Sequence, residues 1–184
     1  MLRITYLLFR ITYRAQRIKM KITADQIREL RDKTGAPVMR AKKLLEEVIG
    51  DLPADATHQA LQAGMKKAED ILKKEGFEKV AKRAGRETSQ GLIESYMHHS
   101  GKIAAVVELL CETDFVARND LFKDLAHNLA LQTASMSAKD SNELLQQEFI
   151  KEPGKKVEDL VKEVIAKTGE NIRVGRIWRI VLGE

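Results

Sequence analysis

The sequence predicts an α+β protein: a three-helix N-terminal module, then a core of about three antiparallel strands with packed helices. Three observations carry this. Between Thr23 and Gly85 apolar residues recur at helical spacing and glycines break the runs. Between Gly91 and Cys111 two extended runs flank Ser100-Gly101. Beyond them, two amphipathic helical stripes lead into a closing segment that alternates with a period of two.

In the module, Thr23 is placed to accept from the first free amides of a helix, with Ile27, Leu30 and Thr34 on its buried face. Gly35 ends that helix. Pro37 opens the next, and Val38, Ala41, Leu45, Val48 and Ile49 form its stripe up to Gly50. A third stripe, Leu61, Met65, Ala68, Ile71 and Leu72, is expected to stop at Gly76. A short turn through Phe77, Val80, Ala81 and Ala84 then reaches Gly85. These features set expected boundaries at residues 20–76 for the module, 77–90 for a basic connector and 91–184 for the core.

In the core, Ser100-Gly101 reads as a two-residue hairpin turn, which sets His98 opposite Ile103 and Cys111 opposite Gln90. The strand Ile103 to Leu110 has almost no polar face, so it is expected to be central and covered on at least one side. Cover comes from a helix with Phe122, Leu125, Ala126, Leu129, Ala130, Thr133 and Met136 on one stripe. A second carries Val157, Leu160, Val161, Val164, Ile165 and Thr168, with Gly169 as its cap. The final strand is expected to set Ile172, Val174, Trp178, Ile180 and Leu182 on one face, and Arg173, Ile177, Arg179 and Val181 on the other.

Charged residues make up 32% of the 184 and aromatics 5%, which argues against a membrane protein or a disulfide scaffold. The lone Cys111 has no partner for a bridge and suits a reducing compartment. The net charge of +5 lies wholly in Arg3, Arg10, Arg14, Arg17 and Lys19, leaving 27 basic against 27 acidic residues beyond Met20. This basic leader, residues 1–19, is read foremost as an upstream extension before a domain that starts near Met20. A transit-like or membrane-surface segment is the competing reading.

Covalent chemistry finds little support. The hairpin register puts Cys111 roughly 25 Å from His98 along the strand, at ~3.3 Å per residue, too far for a catalytic pair. His98 and His99 are expected on opposite strand faces, with no Cys or His at ligand spacing, so no metal site is expected. Neither GxGxxG nor GxxxxGK[ST] occurs, and no cofactor is expected. Arg40, Lys42 and Lys43 give the second helix a basic side, but Glu46 and Glu47 follow, so a helix-turn-helix reader of nucleic acid is disfavoured.

The run Cys111-Glu112-Thr113-Asp114-Phe115-Val116-Ala117-Arg118-Asn119-Asp120 leaves the buried strand before helical periodicity resumes. On the residues alone, the simpler account makes Asp114 a helix N-cap and folds Phe115 into the core.

Taken together, several runs resemble the elongation factor Ts family, from Ile22 to Glu184. They are Ile27 to Ala36 with Val38-Met39 and Lys42-Lys43; Lys82-Arg83-Ala84-Gly85-Arg86; Tyr96 to Ile103; Glu108 to Asn119; and Gly169-Glu170-Asn171-Ile172 with Arg176. The resemblance implies a ubiquitin-associated-like three-helix module, a linker and a core domain. It implies a guanine-nucleotide exchange factor for elongation factor Tu, acting in the bacterial cytoplasm without covalent chemistry. It also implies that Asp114 and Phe115, flanked by Thr113 and Val116, form a wedge entering the partner near its magnesium. Arg31, Val38, Met39 and Lys42 match the family's gripping positions, and His98 and Arg83 are weaker contact candidates.

The chain departs from the family pattern in places. Residues are added between Leu52 and Leu61, Arg40 and Ala41 stand where Asp and Cys are common, and the segment from Met136 to Phe149 is short. With one core half, a homodimer through the exposed sheet or the strand of Trp178 is expected. Neither direct nucleic-acid binding nor membrane association is expected. The alternative reading is a nucleic-acid or ribosome-binding module that retains the fold.

Overall fold

A computed structural model describes residues 21–50, 52, 53 and 56–184, so the basic leader lies outside the described residues. The chain divides into two compact units, the first ending at Leu72 and the second beginning at Lys73.

The first unit opens with α1 (Ala24–Thr34). The Thr23 side chain accepts from the Gln26 amide at 3.3 Å, and the Gln26 side chain accepts from the Thr23 amide at 2.9 Å, a reciprocal capping box. Gly35 closes the helix in the left-handed conformation that glycine reaches without strain. Pro37 is the N-cap of α2 (Val38–Ile49). Leu30, Ala41, Leu44, Leu45, Ile49, Ala68 and Leu72 make the core of this unit.

Helix α3 (His58–Arg83) runs on past Gly76, where the sequence suggested a stop. An interior glycine weakens a helix by about 1 kcal/mol without ending it. Gly76 has a packing role: a Cβ there would sit 3.2 Å from the Ala166 methyl. The residues expected to begin a connector therefore belong to a helix, and Val80 joins the core of the second unit.

The second unit holds a sheet in the order β1-β2-β3, formed by β1 (Gln90–Met97), β2 (Ile103–Cys111) and β3 (Ile172–Val181), all antiparallel. The predicted hairpin register holds, with Gln90 opposite Cys111 and the His98 amide donating to the Ile103 carbonyl at 2.9 Å. Strand β2 is central. Ala105, Val107, Leu109 and Cys111 point to the covered face, where α5 (Asp120–Ser135) and α7 (Val157–Thr168) supply Phe122, Leu125, Leu129, Val157 and Val161. Met136, expected on the buried stripe of α5, is instead its exposed C-cap.

Between α5 and α7 lies a six-residue helix, α6 (Ser141–Gln146), which apolar spacing did not reveal. Asp140 caps it, accepting from the Glu143 amide at 2.8 Å. The fully buried Gln132 ties the following loop down. Its Nε2 donates to the Glu148 carbonyl at 3.0 Å, and its Oε1 accepts from the Ile150 amide at 2.9 Å.

Strand β3 does not keep one parity. Val107 pairs with Ile177 and Leu109 with Val174, so Gly175 and Arg176 together face Glu108, a β-bulge. One extra residue reverses every side chain beyond it. Ile172 and Val174 are buried, but Trp178 and Ile180, expected on the same face, stand exposed on the opposite one with Ile93 and Met97. Glu108 locks the bulge, accepting from the Arg176 amide, Nε and Nη2, each at 3.1 Å. That approach needs Gly175, because a Cβ there would lie 2.5 Å from Glu108 Oε2.

Candidate functional site

Where β2 leaves the sheet, the chain turns at once into the four-residue helix α4 (Asp114–Ala117). Its N-cap is Thr113, not Asp114; Asp114 is the first helical residue and pairs with Arg118 at 3.0 Å. Phe115 is 83% exposed, so it does not fold into the core as residue chemistry alone favours. Val116 is the side chain that goes inward. It is only 9% exposed and sits among the core residues, so it anchors the turn and is not available to a partner as surface.

The reason is geometric. In one helical turn successive side chains point about 100° apart, so only one of two adjacent residues can face the core. The sheet lies on the Val116 side, since Val116 shares the core with Val107, Leu109 and Cys111 of β2. Phe115 is thereby left in solvent beside a carboxylate.

The turn is bound from outside. The Thr113 amide donates to Glu170 Oε2 at 3.0 Å and its hydroxyl donates to Glu170 Oε1 at 2.6 Å. Glu112, one residue earlier, accepts from the Asn171 amide at 2.6 Å and from Arg86 Nη1 at 3.4 Å. Asn171 Nδ2 donates to the Arg86 carbonyl at 2.9 Å. Glu112 and Glu170 fall within the runs that resemble the family but carry no signal of their own. No periodicity marks them, because their partners lie 26 to 59 residues away.

Cys111 is fully buried, and burial, followed by the charge of Glu170, pushes its thiol up to about 11. It is therefore a neutral packed group and not a nucleophile. The rings of His98 and His99 lie with centroids 4.1 Å apart, contrary to the expectation of opposite faces. Strand alternation ends at Met97, and both histidines fall beyond it in the turn. Tyr96 Oη is 3.4 Å from His98 Nδ1. Among the described residues no group of three or more His, Cys, Asp or Glu is arranged to hold a metal. No described helix is long and apolar enough to cross a membrane.

The remaining candidates divide by exposure. On the first unit, Arg31 in the last turn of α1 is exposed. Val38 and Met39 open α2 as exposed apolar residues, Met39 at 74%, so Val38 does not belong to the buried stripe assigned to it. Lys42 is exposed on the same helix, 3.9 Å from Glu46. On the second unit, Arg83 ends α3 and its Nη1 donates to the Ile165 carbonyl at 3.4 Å, an internal tie that competes with any outside contact.

The chain is similar in sequence to known proteins. The family model described as Elongation factor TS matches residues 112–183. The chain is 38% identical over 208 residues to Elongation factor Ts of Thermotoga sp. (strain RQ2), covering 90% of this chain and 98% of that protein. It is 37% identical over 210 residues to Elongation factor Ts of Fervidobacterium nodosum, covering 90% and 100%. Elongation factor Ts of Aquifex aeolicus is 42% identical over 170 residues, covering 88% of this chain but 53% of the longer relative. With identity at this level across nearly the whole length of two relatives, the chain belongs to the elongation factor Ts family and is a translation elongation factor.

Proposed function

We propose that this protein is a guanine-nucleotide exchange factor for elongation factor Tu, acting in the bacterial cytoplasm and speeding GDP release without making or breaking a covalent bond. The observation that carries the reading is the exposed Phe115 beside Asp114, on a short turn whose other side is anchored by Val116. An exposed aromatic on an anchored turn presents apolar area to a partner at little cost in ordering.

The physical logic is linkage. A factor that binds the nucleotide-free partner more tightly than the GDP-bound partner weakens GDP by the same coupling free energy, and GTP rebinding expels it. In this reading Asp114 and Phe115 intrude near the magnesium of elongation factor Tu. Loss of metal coordination there exposes phosphate charge that the ion had neutralised. Arg31, Val38, Met39 and Lys42 form a second contact on the helical module, with His98 a lesser one. A second copy of the chain covers the open sheet face through Ile93, Met97, Trp178 and Ile180.

The test is release of fluorescent GDP from elongation factor Tu, comparing wild type with Asp114→Ala and Phe115→Ala. Burying a phenylalanine is worth ~1.5–3 kcal/mol, so Phe115→Ala is expected to slow stimulated release roughly 10- to 150-fold. Undiminished stimulation by folded Phe115→Ala protein sinks the wedge. Persistence of nucleic-acid binding after deletion of residues 1–19, with no exchange activity, favours the alternative of a ribosome-binding module. A monomer in light scattering near micromolar concentration removes the dimer.

A further inference from the structure

The short helix α4 lacks a support that short helices usually have. A threonine at an N-cap ordinarily accepts a hydrogen bond from an amide two or three residues on. Thr113 is the N-cap of α4 and makes no such bond. Its hydroxyl donates instead to Glu170 Oε1 at 2.6 Å, while its amide donates to Oε2 of the same carboxylate at 3.0 Å. An isolated single turn is unstable in water because nucleation costs more than one hydrogen bond returns. Its direction must then come from its anchors, which are the buried Val116 below and the Glu170 carboxylate at its start.

Glu170 is well placed for this. The pairing of β2 with β3 ends at Cys111 opposite Ile172. Beyond that last rung, two carboxylates continue the connection in both directions. Glu112 accepts from the Asn171 amide at 2.6 Å, and Glu170 accepts from the Thr113 amide at 3.0 Å. The crossed pair ties residues 112–113 to residues 170–171 where backbone bonding has run out. Gly169, in the left-handed conformation after α7, turns the chain so that Glu170 reaches across.

We infer that Glu170 is a positioning residue for the Asp114–Phe115 contact: by holding the Thr113 amide and hydroxyl it fixes the direction in which Phe115 leaves the surface. This rests on the exchange reading above.

Two measurements separate the clamp from that reading. The first is hydrogen exchange of the full-length protein. Glu170→Gln keeps the shape but removes the charge that strengthens both bonds to Thr113, so the amides of residues 113–118 are expected to exchange at least about tenfold faster, with Val107 and Leu109 unchanged. The second is fluorescent GDP release across factor concentrations, with Glu170→Gln, Phe115→Ala and the double variant. A misdirected wedge lowers the saturating rate about tenfold, the factor carried by one lost charge-assisted hydrogen bond, and leaves the half-saturating concentration within about twofold. In the Phe115→Ala background the same change is expected to add less than about twofold, since there is no ring left to direct.

Thr113→Val, which removes only the hydroxyl donor, is the second variant and is expected to give a smaller loss of the same kind. Unchanged hydrogen exchange at residues 113–118 overturns the clamp. Equal tenfold losses in both backgrounds overturn the positioning role and leave Glu170 a general stabiliser. Wild-type release by Phe115→Ala overturns the wedge and the positioning role with it, even where the clamp itself is seen by hydrogen exchange, whereas failure of the wild-type protein to speed release overturns the exchange reading.

Discussion

Phe115 and Val116 are neighbours in sequence, yet the structure requires opposite consequences when each is cut to alanine. Val116 is buried in the core of the second unit with Val107, Leu109 and Phe122, so removing two methyl groups at ~0.8 kcal/mol each loses about 1.6 kcal/mol of transfer energy. The cavity left behind raises this to about 2 kcal/mol. For a unit of about 110 residues such a loss lowers the midpoint of thermal unfolding by roughly 5–10 °C. Phe115 is 83% exposed, and alanine is the better helix former, so Phe115→Ala is expected to stay within about 0.5 kcal/mol of wild type. The single tryptophan, Trp178, lies in β3 of the same unit and reports its unfolding by fluorescence. The expected pattern is therefore divided: Val116→Ala melts early, and Phe115→Ala melts normally but stimulates GDP release poorly. A Phe115→Ala protein destabilised as much as Val116→Ala would refute the outward placement of the ring.

Two further outcomes follow from the sheet. Gly91 has φ +155°, and a Cβ there would lie 2.1 Å from the Leu109 carbonyl oxygen, a backbone atom that no rotamer change can move away. Gly91→Ala is expected to cost about 2–4 kcal/mol, read as an early Trp178 transition, whereas Gly85→Ala, which meets nothing within 4 Å, stays near wild type. Glu108 is held below the usual carboxylate range, first by its hydrogen bonds to Arg176. A depressed folded pKa contributes stability that is present above the unfolded value of 4.5 and is lost as pH falls through the folded value. Denaturant midpoints should therefore fall with pH below about 4.5, and Glu108→Gln should flatten that limb; an unchanged slope would show that the bulge lock carries no linkage.

Local patterns were legible wherever the physics is local. Capping chemistry at Thr23 and Gly35, the hairpin register around Ser100-Gly101, and the stripes of α5 from Phe122 to Thr133 and of α7 all depend on neighbours within a few residues, and the structure reproduces them. The slip of β3 was partly visible as an isolated glycine, Gly175, at the point where the apolar alternation breaks. The continuation of α3 through Gly76 was not, because that glycine answers to Ala166 on a distant helix.

The candidate site divides in the same way. That the segment from Thr113 to Val116 leaves a buried central strand is determined by sequence, since the apolar run of β2 and the helical period of α5 bracket it. Which of Phe115 and Val116 faces the core was decided only in three dimensions, by the side on which the sheet lies. The clamp from Glu170 and Asn171 is likewise a tertiary fact: it joins residues nearly sixty positions apart, and its bonds exist only once β3 has paired with β2.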